Sequence, residues 1–198
     1  MLFDYVRCLV GGETGRLRVM SEGYPRLLGD IGGTNARWAW QSDAGSPVQD
    51  VAVCPCAESA SLEDSATQYL ARRGGDRPVW ASIGIATPVT GDRVSMTNHH
   101  WSFSVAEFQR ALGLERCLVI NDFTALAMSL FALGPGDLRE IGAGQAVAGA
   151  PVALLGPGTG LGVSGLQPAA GGRWSPLSGE GGHVTLAAAD DGEAEILA

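Results

Sequence analysis

The clearest alternation of apolar and polar positions begins at Leu27, Leu28 and Ile31, strand formers that stop at Gly32-Gly33-Thr34-Asn35. Residues 36–40 then alternate as a second strand, and residues 48–54 read as a third. Ser61-Leu62-Glu63-Asp64 has the form of a capping box and opens a helix to about Arg73, ended by Gly74-Gly75. Residues 79–86 read as a buried strand, followed by the turn elements Thr87-Pro88 and Gly91-Asp92. Short strands at 94–96 and 101–103 flank Thr97-Asn98-His99-His100. A second capping box, Ser104 to Glu107, starts a helix to about Leu112. A strand at 116–120 halts at Asn121-Asp122, and 123–133 reads as an apolar helix.

Beyond it, residues 150–156 and 163–166 are strands joined by Gly156-Pro157-Gly158-Thr159-Gly160-Leu161-Gly162. This glycine turn leads from strand to strand, so a dinucleotide-binding strand-to-helix turn is disfavoured. A short strand at 184–186 and a helix beginning at 193–197 close the chain. Hairpin strands, then alternating helix and strand, then hairpins again predict an α/β fold with a mixed sheet and an internal duplication. Residues 1–23 show no clean periodicity. They are expected to be a disordered extension, or Met20 is the true start.

The 198 residues suffice for one substantial domain or two small ones, and 45% hydrophobic with 17% charged content is that of a folding chain. A net charge of −8 argues against nucleic acid and anionic membrane surfaces as partners. No apolar run is long enough to span a membrane. All 13 basic residues are arginine, which excludes a Walker A lysine, a protein-kinase strand lysine and lysine Schiff-base chemistry. The four cysteines, Cys8, Cys54, Cys56 and Cys117, lack zinc spacing and read as reduced thiols of a cytoplasmic protein.

Three places carry candidate chemistry. The Gly32-Gly33 turn exposes backbone amides that can wrap an anion, and its glycines admit positive φ. Asp30, just before it, can hold Mg²⁺ through the ion's water shell; an ordinary hairpin with a polar tip fits the same residues. Asp122, at a strand's carboxyl end and a helix start, would be kept ionised by helix amides and can accept a hydroxyl proton. A simple helix cap is the alternative there. Glu180 and His183 flank Gly181-Gly182, where glycines let both side chains approach one small ligand, unless the segment is only a polar loop. His99 and His100, neighbours on an extended segment, should point to opposite sides and cannot chelate together, leaving Asn98 as the better ligand group.

Together these segments resemble the bacterial glucokinase family within the hexokinase and actin-like ATPase superfamily. The resemblance rests on Gly29-Asp30-Ile31-Gly32-Gly33-Thr34-Asn35-Ala36-Arg37, Met96-Thr97-Asn98-His99 with Trp101, and Ile120-Asn121-Asp122-Phe123-Thr124-Ala125. Gly156 to Gly162 and Gly179-Glu180-Gly181-Gly182-His183 follow in the family's order. The cysteine-rich zinc motif of the related repressor–kinase group is absent, and Ser178 stands where Pro is common.

The resemblance implies an actin-like ATPase (ribonuclease H-like) fold and phosphoryl transfer from Mg·ATP to the 6-hydroxyl of D-glucose. By it, Gly29, Asp30, Ile31, Gly32, Gly33 and Thr34 cradle the ATP phosphates, with Asp30 near the metal. Asp122 is the base, while Asn98, Asn121, Glu180 and His183 line the sugar pocket. Gly158, Thr159 and Gly160 belong to a second phosphate-facing loop. Family members are longer, so this chain is expected to be a C-terminally truncated member. Residues 24–132 would form a small domain and 133–198 an incomplete large one, with little or no activity alone. The full-length protein is expected to be a possible homodimer. Two rival readings are a non-catalytic glucose-responsive module and a kinase for another hexose.

Overall fold

The computed structural model describes residues 23–157, 160–179, 181–184 and 188–197. In chain order its main elements are β1 (Arg26–Ile31), β2 (Asn35–Gln41), β3 (Gln49–Pro55), α1 (Leu62–Arg73), β4 (Trp80–Ile85), β5 (Arg93–Ser95) and β6 (Ser102–Ser104). There follow α2 (Val105–Ala111), β7 (Arg116–Asn121), α3 (Asp122–Ser129), β8 (Val152–Pro157), β9 (Leu161–Ala169), β10 (Arg173–Leu177) and α4 (Asp191–Leu197).

The principal sheet has the order β3-β2-β1-β4-β7. Its first three strands are antiparallel, and β1, β4 and β7 are parallel. Every residue of β1 is buried, as befits a central strand covered on both faces. On one face Leu27, Ile31, Trp38, Ile83 and Ile85 pack with Leu62, Ala66 and Tyr69 of α1. On the other, Leu28 and Ala39 meet Ala125 of α3, with Val48 and Ile120 beside them. The indole of Trp38 donates to Ser65 Oγ at 3.0 Å, which explains a buried serine on the inner face of α1. Truncating such a buried indole costs about 3–5 kcal/mol. A separate sheet, β10-β9-β8, is antiparallel throughout, and β5 pairs with β6.

Both caps read from the sequence are present. Ser61 Oγ accepts from the Asp64 amide at 3.0 Å and Ser104 Oγ from the Glu107 amide at 3.1 Å. The reciprocal halves differ from a capping box. The Asp64 carboxylate takes the Ala60 amide, and at α2 it is Asp92 that binds the Ala106 amide. Ser104 Oγ also donates to Asp92 Oδ2 at 2.6 Å, and this bond first, with that of the Ala106 amide, holds the Asp92 carboxyl below the usual carboxylate range.

Other expectations change. β10 was not anticipated because Pro176 interrupts its run, but an edge strand tolerates proline. β9 runs on through Pro168. The apolar helix ends at Ser129 and tightens into the 3-10 turn Leu130–Ala132. Gly23, placed by the sequence in the extension, is buried with φ +58°, and a side chain there would strike the Trp80 indole. The rest of that extension lies outside the described residues, as do residues 185 and 186 of the expected last strand. Val184 itself sits in a bend after the 3-10 turn Gly181–His183.

Candidate active site

The carboxyl ends of three parallel strands form one edge, the ligand side of open α/β sheets. Ile31 is in register with Ile85, and Ile85 with Asn121. At ordinary strand spacing, Ile31 and Asn121 are therefore about 10 Å apart. The glycine turn leaving β1 and the helix leaving β7 share this edge.

The turn is pinned from behind. Gly32 N–H donates to the Asn35 carbonyl at 2.9 Å, and Cys56 N–H to the Thr34 carbonyl at 2.8 Å. The buried Cys56 thiol reaches the Gly32 carbonyl at 3.4 Å, and burial pushes its pKa up. Neither Gly32 nor Gly33 adopts the positive φ that the sequence reading allowed for. Gly33 lies close against Asn98: a Cβ there would stand 3.1 Å from the Asn98 Cβ and 3.3 Å from its carbonyl oxygen. Asn98 thus abuts the turn. Gly29 and Ile31 are buried within β1, where Gly29 leaves room for the Trp38 ring and the Ile31 carbonyl accepts the Ala86 amide at 2.9 Å. Thr34 is exposed at the tip.

Asp30 is buried, and its Oδ2 receives Arg37 Nη1 at 2.7 Å. Burial raises the Asp30 pKa, and the hydrogen bond and charge of Arg37 oppose the rise. The Arg37 side chain is 48% exposed, so the pair sets a cation at the surface beside the turn. Sequence reading missed this pair, although the hairpin register places residue 37 opposite residue 30.

Across the edge, Asn121 is the N-cap of α3: its Oδ1 accepts from the Thr124 amide at 3.0 Å. The cap role falls to Asn121 and not to Asp122. Asp122 Oδ1 accepts from the Phe123 amide at 2.8 Å and from Asn121 Nδ2 at 3.0 Å. Asn121 Nδ2 also lies 3.4 Å from the Thr87 carbonyl. Thr87 Oγ1 in turn pairs with Thr97 Oγ1 at 3.1 Å, joining this corner to the segment bearing Asn98.

His99 and His100 do not diverge as an extended segment would dictate. The chain bends there, and the two rings lie 4.3 Å apart. His99 also meets Trp101 edge-on at 4.8 Å, and burial followed by the charge of His100 lowers its pKa. The two rings are in tilted contact, at an interplanar angle of 36°. Among the described residues, no three His, Cys, Asp or Glu side chains group as a metal site.

The later glycine segments converge on the first turn of α3. Gly156 pairs with Gly162 across β8 and β9, and the Phe123 ring rests on both. A Cβ at Gly156 would lie 2.6 Å from that ring, and one at Gly162 would lie closer still. Gly160 is an exposed bend residue; Gly158 and Thr159 lie outside the described residues. Ser178 Oγ pairs with Thr124 Oγ1 at 3.1 Å, giving the serine a partner. Gly181 and Gly182 pack on Val163 and Leu161, and His183 ends their 3-10 turn. Glu180 lies outside the described residues. A cavity of about 290 Å³ opens between Asn121, Thr124, Ser178 and the residues Pro88, Val89 and Thr90.

The glucokinase family profile matches residues 27–198. A glucokinase of Aromatoleum aromaticum is 54% identical over 179 residues, which cover 90% of this chain and 54% of that protein. A glucokinase of Chromobacterium violaceum is 49% identical, over 89% of this chain and 50% of its own length. Among solved structures, the glucokinase from an Antarctic psychrotroph aligns with TM-score 0.75 and 37% identity, over 87% of this chain and 55% of that one. A Balamuthia mandrillaris glucokinase, solved with glucose, shares the fold at TM-score 0.61 and 21% identity, over 90% of this chain and 55% of that one. The chain spans about half the length of the relatives it matches.

Proposed function

On the premise that this chain belongs to the glucokinase family, with the family's actin-like ATPase fold, we propose that it serves transfer of the ATP γ-phosphoryl group to the 6-hydroxyl of D-glucose. The observation that carries the reading is the placement of Asp122. Its carboxylate is oriented by the Phe123 amide and Asn121, at the sheet edge that also carries the Gly32-Gly33 turn. The hydroxyl oxygen attacks the γ-phosphorus, the bond to the ADP oxygen breaks, and the hydroxyl proton passes to Asp122. Such a reaction asks the protein for positioning, charge neutralisation and one oriented base.

In this reading the backbone of residues 32–34 faces the phosphates, and Gly158, Thr159 and Gly160 form the second phosphate loop. Arg37 supplies a cation beside the first turn, useful in a chain without lysine. Asn98, Asn121, Glu180 and His183 hold the sugar hydroxyls. Asp30 suits Mg²⁺ as one hard carboxylate, with Arg37 on one oxygen and the ion held mainly through water. When bound, the ion would neutralise phosphate charge. We place the boundary between the small and large domains near residues 132–133, and the protein in the cytoplasm.

The test is a coupled assay for glucose 6-phosphate on the full-length gene product, with hexoses that differ by one hydroxyl. A site that hydrogen-bonds each hydroxyl should reject such analogues. Product formed equally fast from every hexose, or not formed from glucose, would overturn the reading. Heat-stabilisation by glucose without any turnover of ATP would point instead to a sugar-responsive module.

A further inference from the structure

We infer that Phe123 is a positioning residue that sets the reach between the proton acceptor and the glycine hairpin, and that Gly156 and Gly162 are glycine in order to receive its ring. The inference rests on the kinase reading above for its catalytic consequence, while the contact itself stands independently of it.

One residue carries both connections. The Phe123 amide donates to Asp122 Oδ1 at 2.8 Å, and the ring of the same residue lies against two glycines that face each other across β8 and β9. The ring occupies the volume where side chains at 156 and 162 would stand. Cross-strand glycines leave a bare strip of backbone, and an aromatic ring laid on that strip restores the buried surface they lack. The turn between these glycines contains Gly160, and the two glycines bound its base. Their backbones pair at Gly156↔Gly162, one pair before Pro157↔Leu161 at the end of the hairpin, so anything that lifts the glycine pair lifts that end with it. The glycines of this run therefore divide into two kinds. Gly156 and Gly162 serve packing, while Gly160 at the bend has open space around it.

A second tie runs parallel to the first. Thr124, next along α3, meets Ser178 at 3.1 Å and fixes the later glycine segment to the same helical turn. Phe123 is distinguished from it by acting on the carboxylate-bearing residue and on the hairpin at once. Loss of the ring should let the hairpin settle closer to α3 or slide across it. An error of about 1 Å in such a relation costs about 100-fold in rate.

The experiment is a double-substitution cycle on the full-length gene product with Phe123→Leu, Gly162→Ala and the pair. Steady-state constants for ATP and glucose are combined with hydrogen exchange of the ligand-free protein. Gly162→Ala should lower kcat by about 100-fold with little change in the glucose KM, because the added methyl displaces the ring. The pair should recover about tenfold of that loss, since leucine vacates part of the volume. Phe123→Leu should speed exchange together in residues 122–125 and 156–163. Additive losses in kcat, or faster exchange confined to α3, would overturn the inference. If Gly162→Ala does not fold, the exchange pattern of Phe123→Leu decides alone. A wild-type protein that phosphorylates no hexose would refute the kinase reading, yet the exchange measurement would still support or overturn the Phe123 contact.

Discussion

Asn121 Nδ2 donates to Asp122 Oδ1 at 3.0 Å while the other end of the same carboxamide caps α3 through Thr124. The helix cap and the proposed proton acceptor are thus different residues, so Asp122 can be changed without removing the cap. In the full-length gene product, Asp122→Asn should lower kcat for glucose phosphorylation by about 10²–10⁴-fold, the usual share of a general base. The unfolding midpoint should move little. Kinetics together with calorimetric titration of glucose check this; unchanged kcat would refute Asp122 as the base.

Asn121→Ala removes the cap oxygen and a donor to Asp122 together. Stability should fall by about 1 kcal/mol, the typical worth of such a cap, and Asn121→Ser should restore much of it. Urea denaturation of both variants measures the difference. An alanine variant as stable as the parent would mean that packing on Ala125 alone fixes the start of α3.

Gly33→Ala brings a methyl to within 3.1 Å of the Asn98 Cβ and 3.3 Å of its carbonyl oxygen. The Asn98 segment must yield, at a cost of about 1–3 kcal/mol by the usual scale of overpacking. The KM for ATP should rise because the turn shifts with it. Thermal denaturation and substrate titration test the two effects, and an unaltered melting temperature would contradict the contact.

Asp30 gives a pH signature. Burial raises its pKa above the ordinary 3.8, with Arg37 opposing, so the native state holds this proton more tightly than the unfolded chain. Its stabilising contribution is complete below the unfolded pKa and is lost as pH rises through the native one. Asp30→Asn removes that loss. The melting temperature of the variant relative to the parent should therefore become more favourable as pH rises above the ordinary carboxylate pKa of 3.8. A difference that narrows over this range would show that the Arg37 ion pair outweighs burial.

Much of this arrangement was legible in the chain. Ser61 and Ser104 announced two helices because a side-chain oxygen three residues before an orphan amide is a local signal. The abrupt stop at Asn121-Asp122 and the Gly32-Gly33 turn located the sheet edge for the same reason. What escaped the sequence depends on contacts between distant segments. Nothing in the run from Gly156 to Gly162 tells which glycines meet a ligand and which accommodate Phe123. The ring contact of His99 with His100 follows from a bend that the extended pattern conceals. The Asp30–Arg37 pair was within reach, since a turn at 32–35 fixes residue 37 opposite residue 30, but only once the hairpin register was counted out.

Residues 123, 156 and 162 compete for a single volume, although 123 lies far along the chain from the other two. Their histories should consequently be yoked. A lineage that acquires a methyl group at 162 must trim position 123 or give up the seat of the hairpin, and a lineage that trims 123 first is released to accept bulk at either glycine. Paired change at these three sites, more than invariance at any one, is the mark this shared space should leave on related chains.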